Sequence, residues 1–454
     1  MRRKHHVQMV LLGGYGGHKQ GQELAKMSEI LDGIPEILDL VHRDIVDAGG
    51  GADVGREGMT AEQVLRAMVV KQQFELSYED LAFHLEDSTS YRMFCRIRPG
   101  KRGPASTTLQ RNIKCIRAET WEMVSQWLVQ HGQKKKIETG KMTRSDCTVV
   151  ETPIHEPTDS SLLWDSVRVL VRLMTEAEEE FGISFIDHSR RAKKRALGIL
   201  NAKNEQVRVP LYRDLLKVTE LTRGQAERVA EQMFSRGGSM LRACLLRFEF
   251  VNYLKLSAQV VDQTKRRVLH KESVPVADKI VSIFEPHTDI IIKNRRETLF
   301  GHKICLTTGK SGLVLDCVVE DGNPSDSTLA LRTIQRVKTL LGKAPRQVAF
   351  DGGFSSKENV DQLKKLGVND VAFSKHVGLN VTEMVKSEWV MKKLRNFRAG
   401  AEGSISFLKR CFGLDRCSWR SLDGFKSYVH ASIVACNLLI LARRLLAAPE
   451  STSG

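Results

Sequence analysis

Apolar positions recur at helical spacing through most of the first 132 residues. Residues 23–46 carry one such pattern, and three glycines at 49–51 close it as a linker. Thr60 with Gln63 forms a capping-box start ahead of Val64, Leu65, Met68 and Val69, which mark one face of a helix. Ser77 caps a short helix through Leu85, and residues 90–97 form another. After a loop at 98–104, Ser106, Thr107 and Thr108 cap a longer helix carrying Leu109, Ile113, Ile116 and, farther on, Trp121, Val124 and Leu128. The prediction is an all-α module of four or five helices, whose short helices, turns and many Arg and Lys resemble a helix-turn-helix.

The period changes after a charged, turn-rich joint at 133–145. Residues 146–152 are rich in β-branched side chains and stop at Pro153, as a strand does. Residues 160–265 return to helix and are heavily charged, including the basic run 190–195. Strand signals at 299–307 and 313–319 flank a Gly-Lys-Ser-Gly turn and predict a hairpin. A helix at 325–341 follows, then a short strand ending at Asp351, a helix at 357–366, a strand at 370–374 and helix from Glu402 onward. The order predicts an α/β fold interrupted after its first strand, divided into a lead-in at 1–58, a helical DNA-binding module at 59–132 and a catalytic domain at 142–445 with a helical insertion at about 160–267.

Charge narrows the partners. Seventy Lys and Arg against 54 Asp and Glu leave a net charge of +16 over 454 residues, an excess that favours a polyanion. Nine cysteines form no CxxC pair, and their odd number argues against a closed disulfide framework and for a reducing, cytoplasmic setting. The apolar run 7–12 is too short for a signal peptide. The greasy stretch 433–442 contains Asn437 and meets Arg443 and Arg444, so it reads as a core helix and no membrane partner is expected. The glycine-rich 13–17 lacks a following Lys-Ser/Thr pair and is not a phosphate loop.

Candidate chemistry centres on Asp351, which closes the apolar run 348–350 and opens into Gly352, Gly353 and Phe354. A carboxylate at the C-terminal end of a buried strand points into the crevice where open α/β sheets place their sites. Asp146 on the first strand and Glu402 in the first turns of the last helical segment are its expected partners. Asp316 competes with Asp146 as the first acid, but choosing it leaves no hairpin between the first two acids. Hard oxygen ligands of this kind suit two Mg²⁺ ions, with Mn²⁺ as an alternative, for phosphodiester chemistry. Cys411 with Cys417, and His155, His287, His302 and His376, lack metal-ligand spacing. Trp389 and Trp419 read as core residues.

The order of elements, the Asp351-Gly352-Gly353-Phe354 motif and the segment around Glu402 resemble the DDE transposases of bacterial insertion sequences. Arg398, Glu402 and Lys409 stand at that family's Arg, Glu and Lys spacing, whereas Arg395 occupies its Tyr position. The resemblance covers about residues 60–445. It implies an RNase H-like core with a mixed sheet flanked by helices, and metal ligation by Asp146, Asp351 and Glu402. It also implies DNA contacts from Arg398, Lys409 and Arg395, action on inverted repeats and target DNA, and a homodimer on paired ends. A nuclease of the same fold without strand transfer, and a former transposase that only binds DNA, are the alternatives.

Overall fold

The computed structural model describes residues 3–4, 15, 17–49, 58–236, 238–293, 297–375 and 378–448. The run 7–12, most of the glycine-rich 13–17, Gly50 and Gly51 of the linker, and His376 lie outside these residues. The chain forms two compact units, one made of Met1–Thr152 with His302–Gly454 and the other of Pro153–Gly301.

In the first unit the predicted 23–46 helix is two, α1 (Lys19–Asp32) and α2 (Ile37–Asp47), separated at Gly33, Ile34 and Pro35. Helix α3 (Ala61–Gln73) begins in the expected capping box, with reciprocal 3.1 Å bonds between Thr60 and Gln63. Ser77 caps α4 (Tyr78–Asp87), and α5 (Thr89–Phe94) starts from Ser88. The long helix predicted from Ser106 is broken into α6 (Ser106–Lys114) and α7 (Ala118–Lys134), and no side chain caps α6. The break comes from a distant residue: buried Asp44 of α2 accepts from the Arg117 backbone N–H at 2.9 Å and binds its guanidinium, supplying the acceptor that a local cap would have given.

Strand β1 (Met142–Glu151) starts four residues earlier than its β-branched run, so Asp146 lies within the strand and not at its start. Pairing explains the extension, because Met142 through Ser145 lie in parallel register with β5 (Gln347–Phe350). The second unit contributes α8 (Asp159–Phe181), α9 (Ser189–Asn201), α10 (Glu205–Gln232) and α11 (Met240–Thr264). They close their own core around Leu163, Leu170, Leu215, Phe250 and Val260. A short strand absent from the sequence prediction, β2 (Asp289–Lys293), runs antiparallel to the first half of β3 (Glu297–Gly309).

Strand β3 continues into the first unit and turns back antiparallel into β4 (Val314–Val319), the predicted hairpin. Then come α12 (Asp326–Leu341), β5, α13 (Lys357–Leu366), β6 (Asp370–Phe373) and α14 (Val381–Met384), followed by α15 (Glu388–Cys411) and α16 (Leu422–Leu446). Strands β3, β1, β5 and β6 are successive neighbours, and β5 pairs with β1 and β6 in parallel, so the sheet is mixed. Alternation along β3 sends Ile304 and Leu306 into a core with α1–α7 and α16, and Cys305 into one with α12, α13, β5, β6 and α15. Helix α16 has the length and apolarity of a membrane span, yet it is a core helix: Asn437 is fully buried and bonds to Val314 and to Ser125.

Candidate active site

Three elements of the first unit bring three carboxylates to one guanidinium. Asp146 projects from β1, Asp351 follows the last residue of β5, and Glu402 lies on α15. Arg398, one helical turn before Glu402, reaches all three: Nη2 is 3.0 Å from Asp146 Oδ2 and 3.1 Å from Asp351 Oδ1, and Nη1 is 3.0 Å from Glu402 Oε1. Arg398 and Asp146 are 15% exposed, Asp351 41% and Glu402 73%, so the cluster grades from a largely buried floor to an open rim. The Arg398 Nε is buried without a hydrogen-bond partner.

Local structure fixes each member. Parallel register sets Phe350 beside Phe373, so the next residues, Asp351 and Ser374, are neighbours, and Ser374 Oγ donates to Asp351 Oδ1 at 2.7 Å. The turn after Asp351 needs glycine, since a Cβ on Gly353 would stand 2.7 Å from Asp326 Oδ2. Asp326 opens α12 and is itself held by Lys303 at 2.6 Å. Arg144, two residues before Asp146, ties α15 to β1: it donates to Phe397 O at 2.8 Å and Ser404 Oγ at 2.9 Å, and stacks over the Phe397 ring. Its guanidinium fills the space where a Cβ on Gly400 would be.

The two aspartates differ in acidity. Burial, and then the neighbouring Asp351 and Asp326 charges, push Asp146 up against the opposing pull of Arg398. Burial acts to raise Asp351 as well, but hydrogen bonds from Ser374 and the Gly352 N–H, with the charges of Arg398 and Lys375, hold it below the usual carboxylate range. Asp351 therefore stays ionised under conditions where Asp146 is the easier of the two to protonate.

The other sequence candidates fall elsewhere. Lys409 pairs with Asp415 at 3.2 Å and touches none of the three acids. Arg395 is exposed on α15. Asp316, the competing first acid, is 9% exposed and engaged by Arg336, itself bound to Glu122. Glu402 is not in a first turn, because α15 begins fourteen residues earlier. Trp419 is buried as expected, whereas Trp389 is 70% exposed. None of the nine cysteines forms a disulfide. Sequence reasoning missed Arg144, Lys303, Asp326 and Ser374; only Ser374 had a visible signal, its place after β6 matching that of Asp351 after β5.

A mixed six-stranded sheet flanked by helices, with carboxylates on the first strand, at the end of the adjacent parallel strand and on a C-terminal helix, defines an RNase H-like protein. The transposase DDE domain family matches residues 258–438, and the transposase domain family DUF772 matches residues 17–115, more than half of the chain between them. The chain belongs to the insertion-sequence DDE transposases. No curated protein and no solved structure matches it.

Proposed function

We propose that the protein cleaves DNA at the ends of an insertion element and joins the freed 3′-hydroxyls to target DNA, both at the cluster of Asp146, Asp351 and Glu402. The observation that carries this reading is the convergence of three carboxylates from separate elements on Arg398. DDE transposases generally use divalent metal ions, and this donor set fits one chemically: three hard oxygen ligands already gathered around a single positive charge. Among the described residues no three His, Cys, Asp or Glu side chains are arranged to hold an ion, because the guanidinium lies at the centre of the acids. Ligation by all three thus requires Arg398 to swing aside.

Asp146, Asp351 and Glu402 would hold two divalent ions there, which would neutralise charge on the phosphoryl group and activate the attacking oxygen. The protein supplies the rest. Hydrogen bonds from Ser374 and the Gly352 N–H favour the ionised form of Asp351, the form that ligates, and Asp146 sits at the more buried end of the cluster. Arg398, displaced from the acids, is placed to fork onto a phosphate beside the scissile bond, and its unpartnered Nε offers a further donor. In the first step a water oxygen attacks phosphorus and the 3′-oxygen leaves as a hydroxyl; in the second that hydroxyl attacks a target phosphodiester, and the target 3′-oxygen leaves. The proposed partner is duplex DNA in the cytoplasm, with a homodimer pairing the two ends.

The test is Mg²⁺-dependent cleavage and joining of duplexes carrying the element's inverted repeats. Asp351→Asn and Glu402→Gln should each lower the rate by about 100-fold or more, as expected for losing several kcal/mol of transition-state stabilisation. Rates equal to wild type would remove the acids from the mechanism, and cleavage without joining would establish a nuclease instead.

A further inference from the structure

The far end of the same sheet carries a second charged feature. Parallel register aligns Met142, Gln347 and Asp370, and the residues just before them are stitched side by side: Arg346 and Gln347 N–H groups bond to Lys141 O, and Asn369 and Asp370 N–H groups to Arg346 O. Lys141 and Arg346 are thus fixed on adjacent strands at the strand entrances, about 5 Å apart along the sheet edge. They line a cleft of about 790 Å³ with Lys310, Lys386, Lys393 and Arg444. All six cations are exposed.

The two acids in the cleft are already used. Glu138 is buried and accepts from the N–H groups of Thr139, Gly140 and Ser311 and from the Ser311 hydroxyl. Asp370 is buried and accepts from the Lys386 N–H and the Gln347 amide. Among the described residues none of the six cations pairs with a carboxylate; Lys393 reaches the Gln347 amide oxygen and lies over the Trp389 ring, and Arg444 reaches the Ser311 carbonyl. Unneutralised cations spread along an exposed rim suit a polyanion better than a small enclosed ligand.

We propose that this cleft binds the phosphate backbone of the duplex whose end is processed at the carboxylates, a reading that rests on the function proposed above. Two elements measure the separation. Four strand residues from Met142 to Asp146 and nine helical residues from Lys393 to Glu402 each span about 13 Å. At one phosphate per 3.4 Å of axis on each strand, the cleft meets the backbone about four base pairs from the scissile phosphate.

The test compares wild type with the triple variant Lys141→Gln, Arg346→Gln, Lys393→Gln in duplex binding by fluorescence anisotropy across a KCl series. Because the three side chains are exposed, the variant should melt with wild type. Its binding should weaken at least about tenfold at low salt, with the log K against log salt slope shallower by about 2.7, or 0.9 per phosphate lost. Neutral methylphosphonate linkages about four base pairs from the cleavage position should weaken wild type and leave the variant unaffected. Equal affinity and slope in the two proteins would overturn the proposal while leaving the DNA reading intact. Displacement of the duplex from the cleft by millimolar inorganic phosphate, whatever the duplex length, would show a small-anion pocket and also overturn it. Failure of wild type to bind any duplex would instead count against the proposed function itself.

Discussion

Arg398 joins three acids that would otherwise repel one another, and its removal should act in opposite directions on stability and on ion binding. In chelator, Arg398→Gln should lose about 2 kcal/mol in urea unfolding, less than a fully buried pair because the cluster opens to solvent at Glu402. Added Mn²⁺ should restore it, and Mn²⁺ binding followed by electron paramagnetic resonance should tighten, because the competing charge is gone. A variant that unfolds with wild type in chelator, or binds Mn²⁺ more weakly, would show that the guanidinium does not compete for the acids. At this scale the sequence was informative where chemistry is local. Asp351 on its glycine turn, and Arg398 four residues before Glu402, are visible as strings of residues. Arg144, Lys303 and Asp326 are not, and Ser374 shows only through its place after β6, since sheet register and contacts far apart in the chain bring them to the site.

Helix α15 shows how such a contact misleads an element-level reading. The sequence reading starts this helix at Glu402, between Gly400 and Gly403, whereas α15 begins at Glu388. It runs through both, because Gly400 makes room for the Arg144 guanidinium that docks the helix on β1. Gly400→Ala should therefore destabilise the protein by about 2 kcal/mol, in the range of overpacking, and lower cleavage with it. Gly403, with nothing within 4 Å of an added Cβ, should gain up to about 1 kcal/mol as Ala and keep its activity. Equal responses in thermal melting would show that Arg144 does not fix the helix. Helix α3 offers a pH test. Burial, and then the Lys114 charge, bring Lys71 down from 10.5 to about 8. The unfolded chain therefore holds a proton that the folded chain has lost between these values, and stability should rise as pH climbs through them. Lys71→Met should abolish that slope and add about 2 kcal/mol at pH 7, read from urea unfolding at fixed pH. A slope that persists would assign it to other groups.

The first unit as a whole is held by a core that the linear order of elements concealed. Helices α3, α6 and α7 contribute Val64, Met68, Ile113 and Trp121 to the cluster that also contains Leu306 of β3 and Val434 and Leu438 of α16. Polar bonds cross the same packing: Ser427 donates to Ile116 O, and Asn437 bonds to both Ser125 and Val314. The charged joint at 133–145 looked like a boundary because charge and turn residues resemble a linker, yet the chain on either side of it packs into one unit. The α/β order, the hairpin and α13 were legible from periodicity; this shared core was not, because an apolar helix face does not name its partner. Cooperative unfolding follows. In hydrogen exchange under native conditions, the amides of α3 and α7 should open with the same free energy and denaturant dependence as those of β1 and α16, since separating them exposes the same core. Removal of residues 1–134 should correspondingly leave α16 uncovered and give a protein that binds a hydrophobic dye and melts without a cooperative transition. Separate exchange of the N-terminal helices at markedly lower free energy, together with a truncated chain that still melts cooperatively, would mean that they are an independent module attached to a self-sufficient catalytic core.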